Sequence, residues 1–256
     1  MDGAVLSWPV KYDVFGVRVS ATTYDEAQEA ILRAARIRKS ATVTHTSSHG
    51  LTMAATDKKF RDCLNDFDIV APDGQPVRWS LNKFHKAKLP DRCYGPELMI
   101  RLCRAAAKEG ISIYLYGSSD DVLEQLQKNL KKECPDLIIA GAVSPPFRKM
   151  TAEEIDAEIA KINDSGAGLV FIGLGCPRQD YFCHENKNKI KAVQLAVGAA
   201  FDFHAGTKKT APGWMQKRGL EWLFRLTQEP TRLWKRYFVI HTTFAFLLTR
   251  RLILGR

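Results

Sequence analysis

No Cys-x-x-Cys pair occurs among the six cysteines, at 63, 93, 103, 134, 176 and 183. That removes the clustered spacing used by zinc sites and dithiol redox centres, and the thiols read as reduced, mostly buried groups. Long apolar runs are lacking too. The longest near the C-terminus, Tyr237 to Leu248, is interrupted by His241, Thr242 and Thr243. It falls short of the roughly 20 residues a spanning helix needs, so a peripheral membrane contact fits better than a span. The opening MDGAVLSWPV has neither the basic start nor the apolar stretch of a secretory signal. Repeats and low-complexity tracts are absent, which excludes solenoids and collagen-like chains. Acids are scarce at one end. From Lys208 to Arg256 there are eleven Lys and Arg against Glu221 and Glu229, so this segment carries nearly all of the net charge of +10. Such asymmetry suits an anionic membrane surface, a phosphorylated ligand or nucleic acid.

What is present begins with 45% apolar residues in 256, enough for one sizeable core. Apolar runs alternate with helical patterns, which predicts an α/β fold with a mainly parallel sheet. Strands are expected over Asp13 to Val19, Ala41 to Thr46, Asp68 to Ala71, Ile111 to Tyr116, Leu137 to Ala142, Leu169 to Gly173 and Ala192 to Val197. Thr23 and Glu26 form a capping box, and Pro96 and Gly110 frame another helix. After Phe203 the pattern becomes helical, with Trp214 to Thr227 expected as one helix and Pro230 opening the next, to about Thr249. The expected domains are a catalytic unit over 1–205 and a basic helical appendage over 206–256.

In open parallel sheets, ligands bind beyond the carboxyl ends of the strands. Three polar segments fall there: Pro72-Asp73-Gly74, Gly117-Ser118-Ser119 and Gly175-Cys176-Pro177-Arg178-Gln179. Gly173-Leu174-Gly175 is a poor dinucleotide turn, because the third glycine is missing and Pro177 stands where the helix would start. The Gly117-Ser118-Ser119 turn reads equally as a phosphate cradle or an ordinary helix start. Asp66-Phe67-Asp68 has the Asp-x-Asp form of metal-dependent sugar transferases, but it directly precedes a strand and reads as structural. Asp73 could accept a proton from a hydroxyl, although turn chemistry alone also explains an aspartate there.

The stretches DIVAPDGQPVRW, LPDRCYGPELM, YLYGSSDDVLEQLQKNL, LVFIGLGCPRQDYF and AVGAAFDFHAGTKKTAPGWMQKRGLEWLFRLTQEPTRLWKRYF resemble the WecG/TagA/CpsF family, glycosyltransferase family 26. The resemblance runs from about Val14 to Tyr237. It implies a Rossmann-like α/β domain with flanking helices and a basic helical C-terminal appendage, the GT-E type. It also implies an inverting hexosyl transfer from a UDP-sugar to a polyprenyl-diphosphate-linked sugar, with no metal or other cofactor. The expected place is the inner face of a bacterial cell membrane, held peripherally in the cytoplasm. Nucleic acid is not an expected partner, and homo-oligomerisation is left open.

By motif match, Asp73 stands where the family's general base stands. Thr44 matches a threonine beside the same pocket, Gln179 a sugar-contacting glutamine, Arg92 an acceptor-pocket arginine and Asp202 an aspartate near the nucleotide. Ser118 and Ser119 lie on the nucleotide side. Arg225 and Arg232 match appendage arginines that neutralise the departing diphosphate, with Lys235 or Arg236 as a third. Thr46 departs from the family, where asparagine is common, and His45 and His49 flank it. That leaves the sugar contacts and the donor sugar open. Two other readings remain: a catalytically inactive membrane- or polymer-binding relative, and a nucleic-acid-binding protein suggested by the basic tail. The presence of Asp73 with Gln179 weighs against the first, and the lack of a nucleic-acid motif against the second.

Overall fold

The computed structural model describes residues 7–254. Residues 1–6 of the opening stretch and the outer boundaries expected at 1 and 256 lie outside the described residues. In chain order the elements are β1 (Lys11–Val14), β2 (Val17–Ser20), α1 (Tyr24–Arg36), β3 (Ala41–Thr46), α2 (Ser48–Thr56), α3 (Lys58–Asp66), β4 (Ile69–Pro72), α4 (Gln75–His85), α5 (Gly95–Glu109) and β5 (Ile113–Gly117). There follow α6 (Asp120–Glu133), β6 (Ile139–Val143), α7 (Ala152–Asp164), β7 (Leu169–Gly173), α8 (Arg178–Glu185), β8 (Val193–Ala196), α9 (Ala200–Ala205), α10 (Gly213–Lys217), α11 (Glu221–Gln228) and α12 (Pro230–Leu254).

Six strands form one sheet in the order β4-β3-β8-β7-β5-β6, and every pairing is parallel. This is the expected Rossmann-like α/β fold. Parallel strands covered on both faces read as continuous apolar runs, and β5 and β4 are buried at every position. Side chains alternate between the two faces. Ala41 and Val43 of β3 join the core under α1 and α5. Thr44 points the other way, toward α8. The helix signals act as the sequence proposes. The Thr23/Glu26 box closes with both reciprocal bonds, and a second box, Thr151/Glu154, opens α7. Gly110 ends α5 at φ 66.

Three local expectations change. Asp13 to Val19 is a hairpin rather than one strand. Phe15 and Gly16 both take positive φ (57 and 85), and β1 turns back to pair antiparallel with β2. Short α9 and the longer α4 were not anticipated. The helix expected over Trp214 to Thr227 is split into α10 and α11 at Gly219, whose φ is +71. A Cβ there would lie 3.2 Å from Cβ of Gln75, so the break lets the C-terminal segment pass close over α4.

The last helix, α12, folds back over α2 and the hairpin. Phe244 meets Phe15 edge-on at 5.6 Å, and Arg251 bonds Asp13 at 2.9 Å while lying over Phe84. Trp222 packs on Tyr237 and His241, tying α11 to α12. Among the described residues no helix is long and apolar enough to cross a membrane. All six cysteines are free, and only Cys176, in the turn before α8, is exposed.

Candidate active site

The turns after β3, β4, β5, β7 and β8 share one edge of the sheet, since all five strands run parallel. Asp73 follows β4 directly. Its N–H donates to the Thr46 carbonyl at 3.0 Å, and the Cys93 N–H donates to the Pro72 carbonyl at 2.9 Å. These two bonds fix the Pro-Asp-Gly turn between β3 and the segment carrying Arg92. The Asp73 residue is half-buried at the strand end, and its carboxyl accepts from the Gly95 N–H. Burial pushes its carboxyl up to about 6, against the opposing pull of Arg92 and Arg225.

Arg92 is 6% exposed and heavily engaged. Its guanidinium lies 4.2 Å from the centre of the Tyr94 ring and donates to the Asp73 carbonyl at 3.3 Å and to Gln216 Oε1 at 3.2 Å. It also forms an ion pair with Glu221, at the start of α11. The C-terminal segment therefore seats on the arginine beside Asp73. Gln216 and Glu221 were not singled out from the sequence as site residues, although the Ala-Pro-x-Trp-Met-Gln and Gly-Leu-Glu-Trp motifs contain them. A cavity of about 340 Å³ adjoins this junction, lined in part by Gln75, Tyr94, His204 and Lys217. Gln75 is buried there. Its amide nitrogen donates to Asp91 at 2.8 Å, while its Oε1 has no protein partner.

A second constellation lies at the ends of β3 and β7. Thr44 Oγ1 donates to Asp180 Oδ1 at 2.6 Å, and both residues are buried. Burial pushes the Asp180 carboxyl up to about 6, partly offset by the Thr44 bond. Asp180 was not among the sequence candidates, although it adjoins Gln179 in the same strand-end loop. The signal was an acid placed in the first turn of a helix on the same strand-end loop. Gln179 is also buried and braces that loop: its Oε1 accepts from the Gly175 N–H at 3.1 Å. Gly198 permits this packing, since a Cβ there would approach Gln179 Oε1 to 3.1 Å. Thr46 is buried against Gly50, and its hydroxyl has no protein partner.

On the other side of the sheet edge, Ser118 takes φ 64 and donates its N–H to the Gly173 carbonyl at 3.2 Å. Ser119 is the N-cap of α6 but makes no side-chain cap bond. Phe201 of α9 closes over Gly173, so α9 and the Ser118 turn converge at the end of β7. Asp202, in α9, pairs with Lys208 at 3.0 Å and accepts from Thr207.

Of the appendage cations, Arg225 is half-buried, and its field reaches both Asp73 and His49. Arg236 donates to His49 Nδ1 at 3.0 Å, and the acceptor role requires His49 to be neutral. Burial together with Arg236 and Arg225 pushes the His49 pKa down to about 4. Arg232 is exposed and paired with Glu229, and Lys235 lies over Trp234 in solvent, so neither reaches Asp73 in this arrangement. His45 points to the α5 side, with Nδ1 3.2 Å from the Ala196 carbonyl, and burial lowers its pKa to about 4. It ties β3 to β8. Asp66 and Asp68 are engaged structurally: both approach Lys187, and Asp68 accepts from the Thr42 N–H at 2.9 Å.

Comparison with known proteins identifies the family. The model of the glycosyl transferase WecG/TagA/CpsF family matches residues 12–256. The N-acetylglucosaminyldiphosphoundecaprenol N-acetyl-beta-D-mannosaminyltransferase of Bacillus subtilis (strain 168) is 32% identical over 188 residues, covering 73% of this chain and 71% of that protein. With the family match spanning both the sheet edge and the basic helices seated upon it, the chain belongs to the WecG/TagA/CpsF family of glycosyl transferases.

Proposed function

We propose that the protein transfers a sugar from a UDP-sugar to a polyprenyl-diphosphate-linked sugar, in one inverting displacement and without a metal. The observation that carries this reading is Asp73. It is a half-buried carboxyl at the open strand edge, raised to about 6, with Arg92 and Arg225 as its cationic neighbours. Near neutral pH it is ionised and still basic enough to take a proton. The acceptor hydroxyl gives its proton to Asp73 as its oxygen forms the bond to the anomeric carbon. The bond from that carbon to the UDP oxygen breaks on the opposite face, and UDP leaves with the electron pair. Inversion follows from a single displacement.

The departing diphosphate needs compensating charge. Arg225, half-buried beside Asp73, would supply it first, and Arg232 with Lys235 or Arg236 would have to turn in from solvent to join it. Ser118, Ser119 and Asp202 would form the nucleotide side, and Thr44, Thr46, Gln179 and Arg92 the sugar side. Residues 206–256 would act as a distinct appendage, closing the cleft and resting on the membrane. Trp234, Phe238, Phe246 and Ile253 are exposed on α12, beside cations, which suits an anionic bilayer surface. The lipid-linked N-acetylglucosamine in the Bacillus relative's name supplies the acceptor to try first, and its N-acetylmannosamine the donor.

The test is UDP release from UDP-N-acetylhexosamines in the presence of a polyprenyl-diphosphate N-acetylglucosamine, with and without EDTA. Acceptor-dependent release that survives EDTA supports the reading. No release with any donor, or release abolished by EDTA and restored by a divalent ion, overturns it or its metal-free form respectively.

A further inference from the structure

Between α2 and α12 runs an open groove of about 420 Å³. Its character changes along its length. Met53 of α2 and Val239 and Ile240 of α12 make an apolar middle, while His49, Lys235 and Arg236 gather at one end. The His49 to Arg236 bond sets the register of the two helices. The lining spans the same length of each helix, His49 to Thr56 and Arg236 to Thr243, about 10 Å at the α-helical rise.

The cationic end opens at the catalytic edge. The first turn of α2 abuts the turn that carries Asp73, since a Cβ on Gly74 would lie 3.4 Å from the Ser48 nitrogen. The field of Arg225 acts on Asp73 and His49 alike. Arg236 is exposed at this end, with its guanidinium on His49 and with Arg225 and Arg232 as like-charged neighbours. An anion there would relieve that like-charge crowding. A trough with a cationic mouth and an apolar body fits a linear hydrocarbon that carries a diphosphate head.

We propose that this groove holds the first isoprenoid units of the lipid acceptor, with the lipid's own diphosphate on Arg236 and Lys235. The proposal rests on the glycosyl-transfer reading and deepens it. In this refinement Arg236 and Lys235 serve the lipid rather than the nucleotide, Arg225 and Arg232 are left to the departing nucleotide, and the remainder of the lipid tail leaves the groove toward the bilayer beside the exposed face of α12.

Calorimetry with farnesyl diphosphate, below its micellar concentration, against inorganic diphosphate tests this without any turnover. Farnesyl diphosphate is expected to bind about tenfold tighter or more, from burial of its first methylenes. Val239→Asp and Met53→Glu, each lining the groove, are expected to erase that advantage and leave inorganic diphosphate binding in place. Val239 is 60% exposed, so its charge variant keeps the fold. Thr242→Asp, exposed on the same helix but outside the groove, is expected to keep the advantage. Equal binding of the two ligands overturns the proposal, as does an advantage that survives both groove variants or is lost equally in Thr242→Asp. A protein that transfers sugar to lipid-linked acceptors yet fails these tests keeps its enzymatic reading and loses the groove. One that passes them and transfers nothing keeps the groove and loses the enzymatic reading.

Discussion

The sheet and the C-terminal helices are held by different physics. In the sheet, β4 and β5 are buried at every residue, and two apolar clusters fill the space on either face. In α10 and α11 no residue is buried, and among the described residues of α12 Leu233 and Ile240 are the buried apolar side chains. That second region is kept in place by a few discrete anchors: Glu221 on Arg92, Phe244 on Phe15 and Arg251 on Asp13. A body fixed by area presents its groups in one geometry. A segment fixed by a handful of polar and aromatic contacts depends on each of them, and here one of them, Glu221 on Arg92, lies beside Asp73.

The sharpest way to break this contrast is at Asp73. If the sheet edge alone holds the base, Asp73→Asn should lower the transfer rate by about a thousandfold while UDP binding persists. Because the base must be ionised, the rate should climb with pH through about 6, the raised value of Asp73, and a profile flat from 5 to 8 would refute the assignment.

Next in size is the anchor. Glu221→Gln leaves the largely buried Arg92 without its ion partner, which should weaken docking of the C-terminal segment by about 3 kcal/mol. Faster proteolysis around Gly219 with an unchanged unfolding transition of the sheet domain is the expected signature. Cooperative loss of the whole fold would mean the two regions are one body.

Asp180 probes the rigid side. Its carboxyl is raised to about 6 in the folded chain from an ordinary 3.8, so between those values the native state binds more protons than the unfolded one. Stability from this group is therefore full at low pH and falls as pH rises toward 6. Asp180→Asn should remove that slope and gain on the order of 2 kcal/mol at neutral pH. Denaturant midpoints at pH 4 and 7.5 check it, and an unchanged slope would count against the buried-acid account. Smallest is the outer face of α12. Phe238→Ser with Phe246→Ser should reduce binding to anionic vesicles by about fivefold, with a melting temperature within a degree or two of the parent.

Much of this was legible beforehand where local rules act alone. The parallel strands show as apolar runs, Thr23/Glu26 as a capping box and Pro230 as a helix start, and Asp73 stands out as an acid at a strand end. The hairpin at Phe15–Gly16 was not legible, because a phenylalanine at positive φ is outside ordinary turn chemistry. Nor was the break at Gly219, since an isolated glycine is compatible with a continuing helix and only the approach to Gln75 demands the bend. Asp180 stayed hidden for a related reason: its raised pKa comes from burial, and its partner Thr44 is 136 residues away.

The sequence by itself determined the six parallel strands and the capped helices, where the positive charge accumulates and which family motifs the chain carries, because periodicity, composition and motif spacing are properties of neighbours along the chain. Only the tertiary structure decided that Glu221 sits on Arg92, that Thr44 donates a hydrogen bond to Asp180, and that Arg225 rather than Arg232 approaches Asp73. Those pairings depend on which strand ends and helix faces the sheet order brings within a few ångströms, and electrostatic and hydrogen-bond energies are decided at that range.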